Sequence, residues 1–260
     1  GFADVLSKAE CPMLILGQGA LARSDGAGVF AQALALADKT GMISEGWNGF
    51  NVLHTAAGRV GGMDVGFLPG EGGRDRNGII EGCKSGDIST VILYGADEID
   101  RAELGGAFVI YVGSHGDRGA HGADVILPAA AYTEKQAIFV NTEGRAQMSE
   151  RAAFPPGDAR EDWKIFRALS DHLGTSLEFD TVEALRTVMF ELTPHLARLD
   201  ELVSAGVPEK PVANVTELDA AAFAPAFMDY YFTNPIARAS ATMAACAEAK
   251  RERAKAIGGT

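Results

Sequence analysis

Met13, Leu14, Ile15 and Leu16 form an unbroken apolar run between Pro12 and Gly17. A short continuous run between breakers reads as a strand buried on both faces. Gly17-Gln18-Gly19 then turns the chain, and residues 27–39 follow as an Ala/Leu-rich helix. Ser24 or Asp25 is placed to cap that helix, and Gly41 to stop it. Three further apolar strands are expected at 91–93, 108–112 and 125–127, the last stopped by Pro128. The third and fourth strands lie close in sequence and are expected to join across a short turn. Helices are expected at 51–60 and 79–84, with a glycine-rich loop over 61–73.

Beyond the last of these strands the period changes. Ile138, Phe139 and Val140 are β-prone, and 146–148 can return beside them around Glu143-Gly144 as a hairpin. Trp163, Phe166, Leu169 and Leu173 recur at helical spacing, which predicts an amphipathic helix over 160–173 closed by Gly174. Asp180 or Thr181 starts the next helix, through Leu192. Pro208, Pro211 and Pro225 interrupt any period, so 205–225 reads as an irregular crossing. Thr233 or Asn234, with Pro235 in the first turn, opens a last helix over 237–255, ended by Gly258-Gly259. Short apolar strands separated by helical stretches define an α/β class: a mostly parallel sheet with helices on both faces, plus an irregular and helical C-terminal tail. The composition shift divides the chain into 1–174, the α/β region, and 175–260, the extension.

Composition narrows the class. The chain has 260 residues, 47% hydrophobic and 22% charged, an ordinary globular profile. The net charge of −12 argues against a nucleic-acid partner, because a polyanion is repelled at long range. No apolar run approaches the ~18 residues of a bilayer span, so no direct membrane insertion is expected. The opening Gly1-Phe2-Ala3-Asp4 carries neither an initiator Met nor a signal-peptide pattern, which predicts a fragment or processed chain. Cys11, Cys83 and Cys246 are widely spaced, so the chain by itself lacks the four thiolates of an all-cysteine cluster. Paired Cys/His spacing for zinc is also missing. Three free thiols fit a reducing compartment.

Several motifs admit two meanings. Gly17-Gln18-Gly19-Ala20-Leu21-Ala22 matches the dinucleotide fingerprint, in which glycines let backbone amides approach a pyrophosphate. The acidic ribose partner is unclear: Asp38 has the offset but lies within the expected helix. A tight strand-to-helix turn is the preferred meaning. His115 and His121, with Asp117 and Asp124, could ligate a metal or move protons. Their spacing fits no helical ligand pair, and a hydrogen-bonded loop is preferred. Asn141–Arg145 reads as a hairpin turn whose Arg145 pairs with a nearby carboxylate, rather than a ligand anchor. Arg160-Glu161-Asp162-Trp163 reads as an acidic first helical turn, and Lys250, Arg251, Arg253 and Lys255 as cations suited to a helix C-terminus. G-x-S-x-G, P-loop and H-E-x-x-H signatures do not occur.

Two passages occur in order: Ala123-Asp124-Val125-Ile126-Leu127-Pro128, and Asn141-Thr142-Glu143-Gly144-Arg145-Ala146-Gln147. Together they resemble the molybdopterin oxidoreductase family. Tyr132-Thr133-Glu134-Lys135, Pro155-Pro156-Gly157, Ala159–Ile165 and Asp229–Met243 narrow the resemblance to large iron–sulfur subunits of NADH:quinone oxidoreductase, respiratory complex I. The resemblance covers nearly the whole chain. It implies a molybdopterin-enzyme fold without molybdenum, and a structural role with no catalytic, cofactor-binding or metal-binding residue in this chain. It further implies 2Fe-2S and 4Fe-4S clusters in a preceding region. The implied partners are flavin-site and iron–sulfur subunits of the peripheral arm, on the cytoplasmic side of a bacterial inner membrane or the matrix side of the mitochondrial one. The alternatives are an active molybdopterin-dependent module and a nucleotide-binding α/β domain.

Overall fold

The computed structural model describes residues 1–116, 118–203, 218–224 and 229–256. Among the described residues the strands are β1 (Leu14–Gly17), β2 (Ile43–Ser44), β3 (Trp47–Asn48), β4 (Phe50–Leu53), β5 (Thr90–Tyr94), β6 (Phe108–Gly113), β7 (Val125–Pro128), β8 (Ala137–Val140) and β9 (Ala146–Ser149). They form two parallel sheets, β1-β4 and β5-β6-β7, and two antiparallel pairs, β2-β3 and β8-β9. The α/β class with parallel strands is as the sequence predicts. The chain divides into two compact units: Gly1–Gly66 with Ile138–Gln147 and Thr193–Met228, and Phe67–Ala137 with Met148–Leu192 and Asp229–Thr260.

In the first unit β1 and β4 run in register from Leu14↔Phe50 to Gly17↔Leu53. The expected helix at 51–60 is therefore a strand, followed by a helix only over Arg59–Asp64. That helix also takes the start of the expected glycine-rich loop. A short apolar run fits either period, and the ladder with β1 decides it. The helix Gly26–Lys39 turns Ala31, Ala33 and Ala37 inward, and Phe30 meets Phe50 at 5.9 Å. Thr40 caps its end and Gly41 follows at φ +70°, where glycine carries no Cβ penalty. A further helix, Phe2–Lys8, has no counterpart among the elements the pattern predicts. At the hairpin tip, Asn141 Oδ1 accepts from the N–H groups of Glu143 and Arg145, at 2.9 and 3.0 Å. Arg145 pairs with Glu143 at 3.7 Å and donates to the Asp200 carbonyl, so the structural meaning of that turn holds.

In the second unit β6 is central, pairing in parallel with β5 and β7. Parallel neighbours need a crossover rather than a turn. One helical turn at Arg118–His121 lies between β6 and β7, which corrects the expected short turn. One sheet face buries Val91, Leu93, Val109 and Tyr111 against Ile80, Cys83, Leu104 and Ala107. The other carries the helix Asp162–His172, whose Phe166 meets Tyr94 edge-on at 5.1 Å. Thr181 Oγ1 accepts from the Ala184 N–H and starts helix Val182–Leu192, as expected. Asn234 Oδ1 likewise accepts from Ala237 N–H. The single helix expected over 237–255 is two, Pro235–Ala239 and Ala241–Ala256. Ser240 is extended there, and its Oγ accepts from Met243 N–H, so it ends one helix and caps the next. Most of the expected irregular stretch 205–225 and the Gly258-Gly259 stop lie outside the described residues. Among the described residues no helix is long and apolar enough to cross a membrane.

Candidate functional site

A concavity in the first unit sits where two parallel strands end, the edge at which α/β sheets usually bind ligands. Gln18 follows β1, and His54 and Thr55 follow β4. Gln18 Oε1 accepts from both the Thr55 N–H and hydroxyl, at 3.1 and 3.0 Å, clipping the two strand ends together. The resulting cleft is about 620 Å³ and is lined by Gln18, Arg23, His54, Thr55, Arg59 and Ala222, among others. Burial and the nearby Arg59 charge lower the His54 pKa, favouring neutral imidazole. Its Nδ1 is buried without a hydrogen-bond partner among the described residues.

The close-approach glycine beside this cleft lies outside the Gly17–Ala22 pattern. The helix after Gly17 is a single turn, Gln18–Leu21, and a Cβ on Gly17 would touch nothing within 4 Å. At Gly26 a Cβ would fall 2.0 Å from the Leu21 carbonyl oxygen. Close approach is needed there, where the long helix begins, and Gly26→Ala is expected to cost about 2 kcal/mol or more. Urea denaturation of the 260-residue chain measures it; a loss below about 0.5 kcal/mol would refute the packing account.

Asp25 is at the helix N-cap, but its carboxylate does not cap the helix. It takes Arg23 Nε at 2.7 Å and Nη2 at 3.1 Å, and the Asp219 N–H at 2.8 Å. Only 7% of Asp25 is exposed. The Arg23 bond, then the Asp219 N–H, hold its pKa at about 2 against an ordinary 3.8. Arg23 is correspondingly raised by its bond to Asp25. A depressed carboxylate stabilises the fold fully above its unfolded pKa, and that contribution is lost as pH falls through about 2. The Asp25 side-chain carboxyl carbon should therefore titrate by NMR with a midpoint near 2; a midpoint at 3.8 would contradict the pairing.

The other sequence candidates do not converge on this cleft. Tyr111 OH donates to the His115 carbonyl at 3.0 Å, and Asp124 Oδ2 accepts from Val109 N–H at 2.8 Å. Those bonds hold the loop structurally, and Asp117 lies outside the described residues. Asp38 stays on its helix, exposed. Burial works to raise the Glu161 carboxyl, but bonds from Trp163 and Lys164 outweigh it and hold it low. Asp162 pairs with Lys135 and neighbours Tyr94, whose phenol is pushed up by burial first and by Asp162 second. These acidic residues bind specific partners as well as facing a helix dipole. Arg251 pairs with Glu248 at 3.8 Å, and Lys250 lies over the Tyr230 ring at 4.8 Å. Cys83 is buried in the second unit's core, while Cys11 is exposed. Among the described residues no three His, Cys, Asp or Glu side chains group to hold a metal ion. Sequence reasoning missed His54, Arg59 and the Arg23–Asp25 pair; the only signal for them was position just past a strand end.

Parallel strands with a cleft at their carboxyl ends are the setting of a cofactor-binding α/β body, and a molybdopterin oxidoreductase family model matches residues 1–172. The chain belongs to that family. A second model, for the C-terminal segment of the G-type subunit of NADH-ubiquinone oxidoreductase, matches residues 203–246. The chain is 39% identical to the NADH-ubiquinone oxidoreductase 75 kDa subunit of Reclinomonas americana, over 94% of this chain and 35% of that protein. It is 38% identical to the mitochondrial NADH-ubiquinone oxidoreductase 78 kDa subunit of Neurospora crassa, over 96% and 34%. It is 39% identical to the mitochondrial NADH dehydrogenase (ubiquinone) iron-sulfur protein 1 of Solanum tuberosum, over 94% and 32%. The chain thus spans about a third of the length of these curated relatives.

The family implies a phosphate-bearing molybdopterin, and the cleft can be tested for it. A guanidinium has five N–H donors, and all five of Arg23's are engaged by Asp25 and by carbonyls of residues 219–222. A phosphate at Arg23 would have to displace them. Arg23 as folded is therefore not free to take the group's phosphate.

Proposed function

We propose that this chain is a structural region of the large iron–sulfur subunit of proton-translocating NADH:ubiquinone oxidoreductase, with no catalytic site of its own. The observation that carries this is the order of the two family matches in one chain: the molybdopterin oxidoreductase body first, the C-terminal segment of the NADH-ubiquinone oxidoreductase family second. The same order supports a division into an α/β region, 1–174, and a C-terminal extension, 175–260. In this reading 2Fe-2S and 4Fe-4S clusters reside elsewhere in the full subunit, and electrons pass from NADH and flavin toward quinone without entering this region. Its partners are flavin-site and iron–sulfur subunits of the peripheral arm, on the cytoplasmic face of a bacterial inner membrane or the matrix face of the mitochondrial one.

Apolar strand side chains left partly exposed support a chain that packs within a larger body. Ile15 (57% exposed) and Leu53 (53%) share one face of the β1-β4 sheet. Ile92 (40%) and Phe108 (46%) share one face of the second sheet. Parallel sheets are ordinarily covered on both sides, and apolar patches left open mark interaction surfaces. The test is deletion of these 260 residues from the full subunit. Loss of the assembled complex on native gels is expected. Normal assembly with normal NADH:quinone turnover would end the proposal.

A further inference from the structure

We propose that residues 218–224 form a built-in strap that takes the anion-accepting side of the cleft, so that main-chain carbonyls of the chain itself stand where a ligand's oxygens would be bound. Arg23 Nη1 donates to the carbonyls of Ala221 at 2.8 Å and Ala222 at 3.3 Å, and Nη2 to that of Asp219 at 3.0 Å. A planar guanidinium fork holds carbonyl oxygens in the positions that suit phosphate oxygens. The strap is held from its own side as well. Asp219 donates its N–H to Asp25, its Oδ1 accepts from Ala221 N–H to shape a turn, and the Phe223 ring lies 4.7 Å from the Arg23 guanidinium. Ala222 and Ala224 then line the cleft.

The source of the strap matters. The cleft's strands belong to the molybdopterin oxidoreductase match, 1–172, whereas the strap belongs to the separate C-terminal match, 203–246. The segment that distinguishes this chain from a bare cofactor-binding body is the one that occupies the cleft's half-buried Arg23. The arginine side of the cleft is closed to a phosphate-bearing ligand by the fold, without any change to Arg23. These contacts hold whether or not the chain works within an electron-transfer assembly.

Hydrogen–deuterium exchange on the full chain tests the strap, with wild type, Arg23→Ala and Arg23→Lys compared. In wild type, peptides over 218–224 should exchange at least about tenfold slower than an unstructured segment. Arg23→Ala should abolish that protection and Arg23→Lys most of it, because an ammonium has no fork. Peptides over β1 and β4 should stay protected in both. Phe223→Ala, at a residue 65% exposed and therefore safe for folding, should weaken the protection partly if Arg23→Ala does not fold. Titration calorimetry with inorganic pyrophosphate should show no binding to wild type. A strap that exchanges freely in wild type, or that stays protected in folded Arg23→Ala and in Phe223→Ala, overturns the proposal. So does pyrophosphate binding to wild type that Arg23→Ala removes.

Discussion

Asp97→Ala should lower unfolding stability by about 3 kcal/mol, among the largest losses available to a single substitution in the second unit. Asp97 is 1% exposed at the end of β5. Its Oδ1 accepts from Gly119 N–H at 2.8 Å, and its Oδ2 takes Arg238 Nη2 at 3.0 Å. Alanine therefore strips an acceptor from a buried amide and a counter-charge from a guanidinium that is only 25% exposed. Removing one partner of a buried pair costs more than the pair contributes, because the other charge remains desolvated. The remaining hydration of Arg238 places the loss at the lower end of the usual 3–5 kcal/mol range, roughly. Urea titration of the 260-residue chain reads it out. Adding Arg238→Ala should recover part of the loss, and a double-mutant cycle isolates the coupling. A single-variant loss below about 1 kcal/mol would mean that Asp97 does not anchor the helix Pro235–Ala239.

Leu104→Ala should cost about 3–4 kcal/mol. Leu104 is fully buried beneath β5 and β6, packed with Ile80, Cys83, Val91, Val109 and Tyr111. Its loss removes a buried isobutyl group and leaves a cavity that the short 3-10 turn Arg101–Leu104 cannot easily collapse into. Ile126→Ala is the control: Ile126 is 53% exposed, and its truncation should cost under about 1 kcal/mol. Chemical denaturation of both variants gives the comparison, and equal losses would place the core elsewhere.

The strands at 14–17, 90–94, 108–113 and 125–128 were legible because each is a short apolar run between breakers. Asn141's turn and the caps at Thr181 and Asn234 were legible because a side-chain oxygen reaches only local amides. Three features were not. The β4 strand reads as helix until β1 lies beside it. Ser240's break sits in an alanine-rich run of good helix formers, so propensity alone predicts continuity. Asp25 looks like a cap, yet a partner two residues away and another 194 residues away claim its carboxylate.

The order of residues by itself determined the α/β class, most strand positions, the family resemblance and the absence of a four-cysteine cluster set. These follow from local spacing and composition, which need no knowledge of distant neighbours. Only the tertiary structure decided that the strands divide into two parallel sheets, that Gly26 rather than Gly17 is the close-approach glycine, and that Arg23 is already occupied. Each depends on groups far apart along the chain being brought within hydrogen-bond or van der Waals range, and the net free energy of such contacts exists only once the chain has paired them.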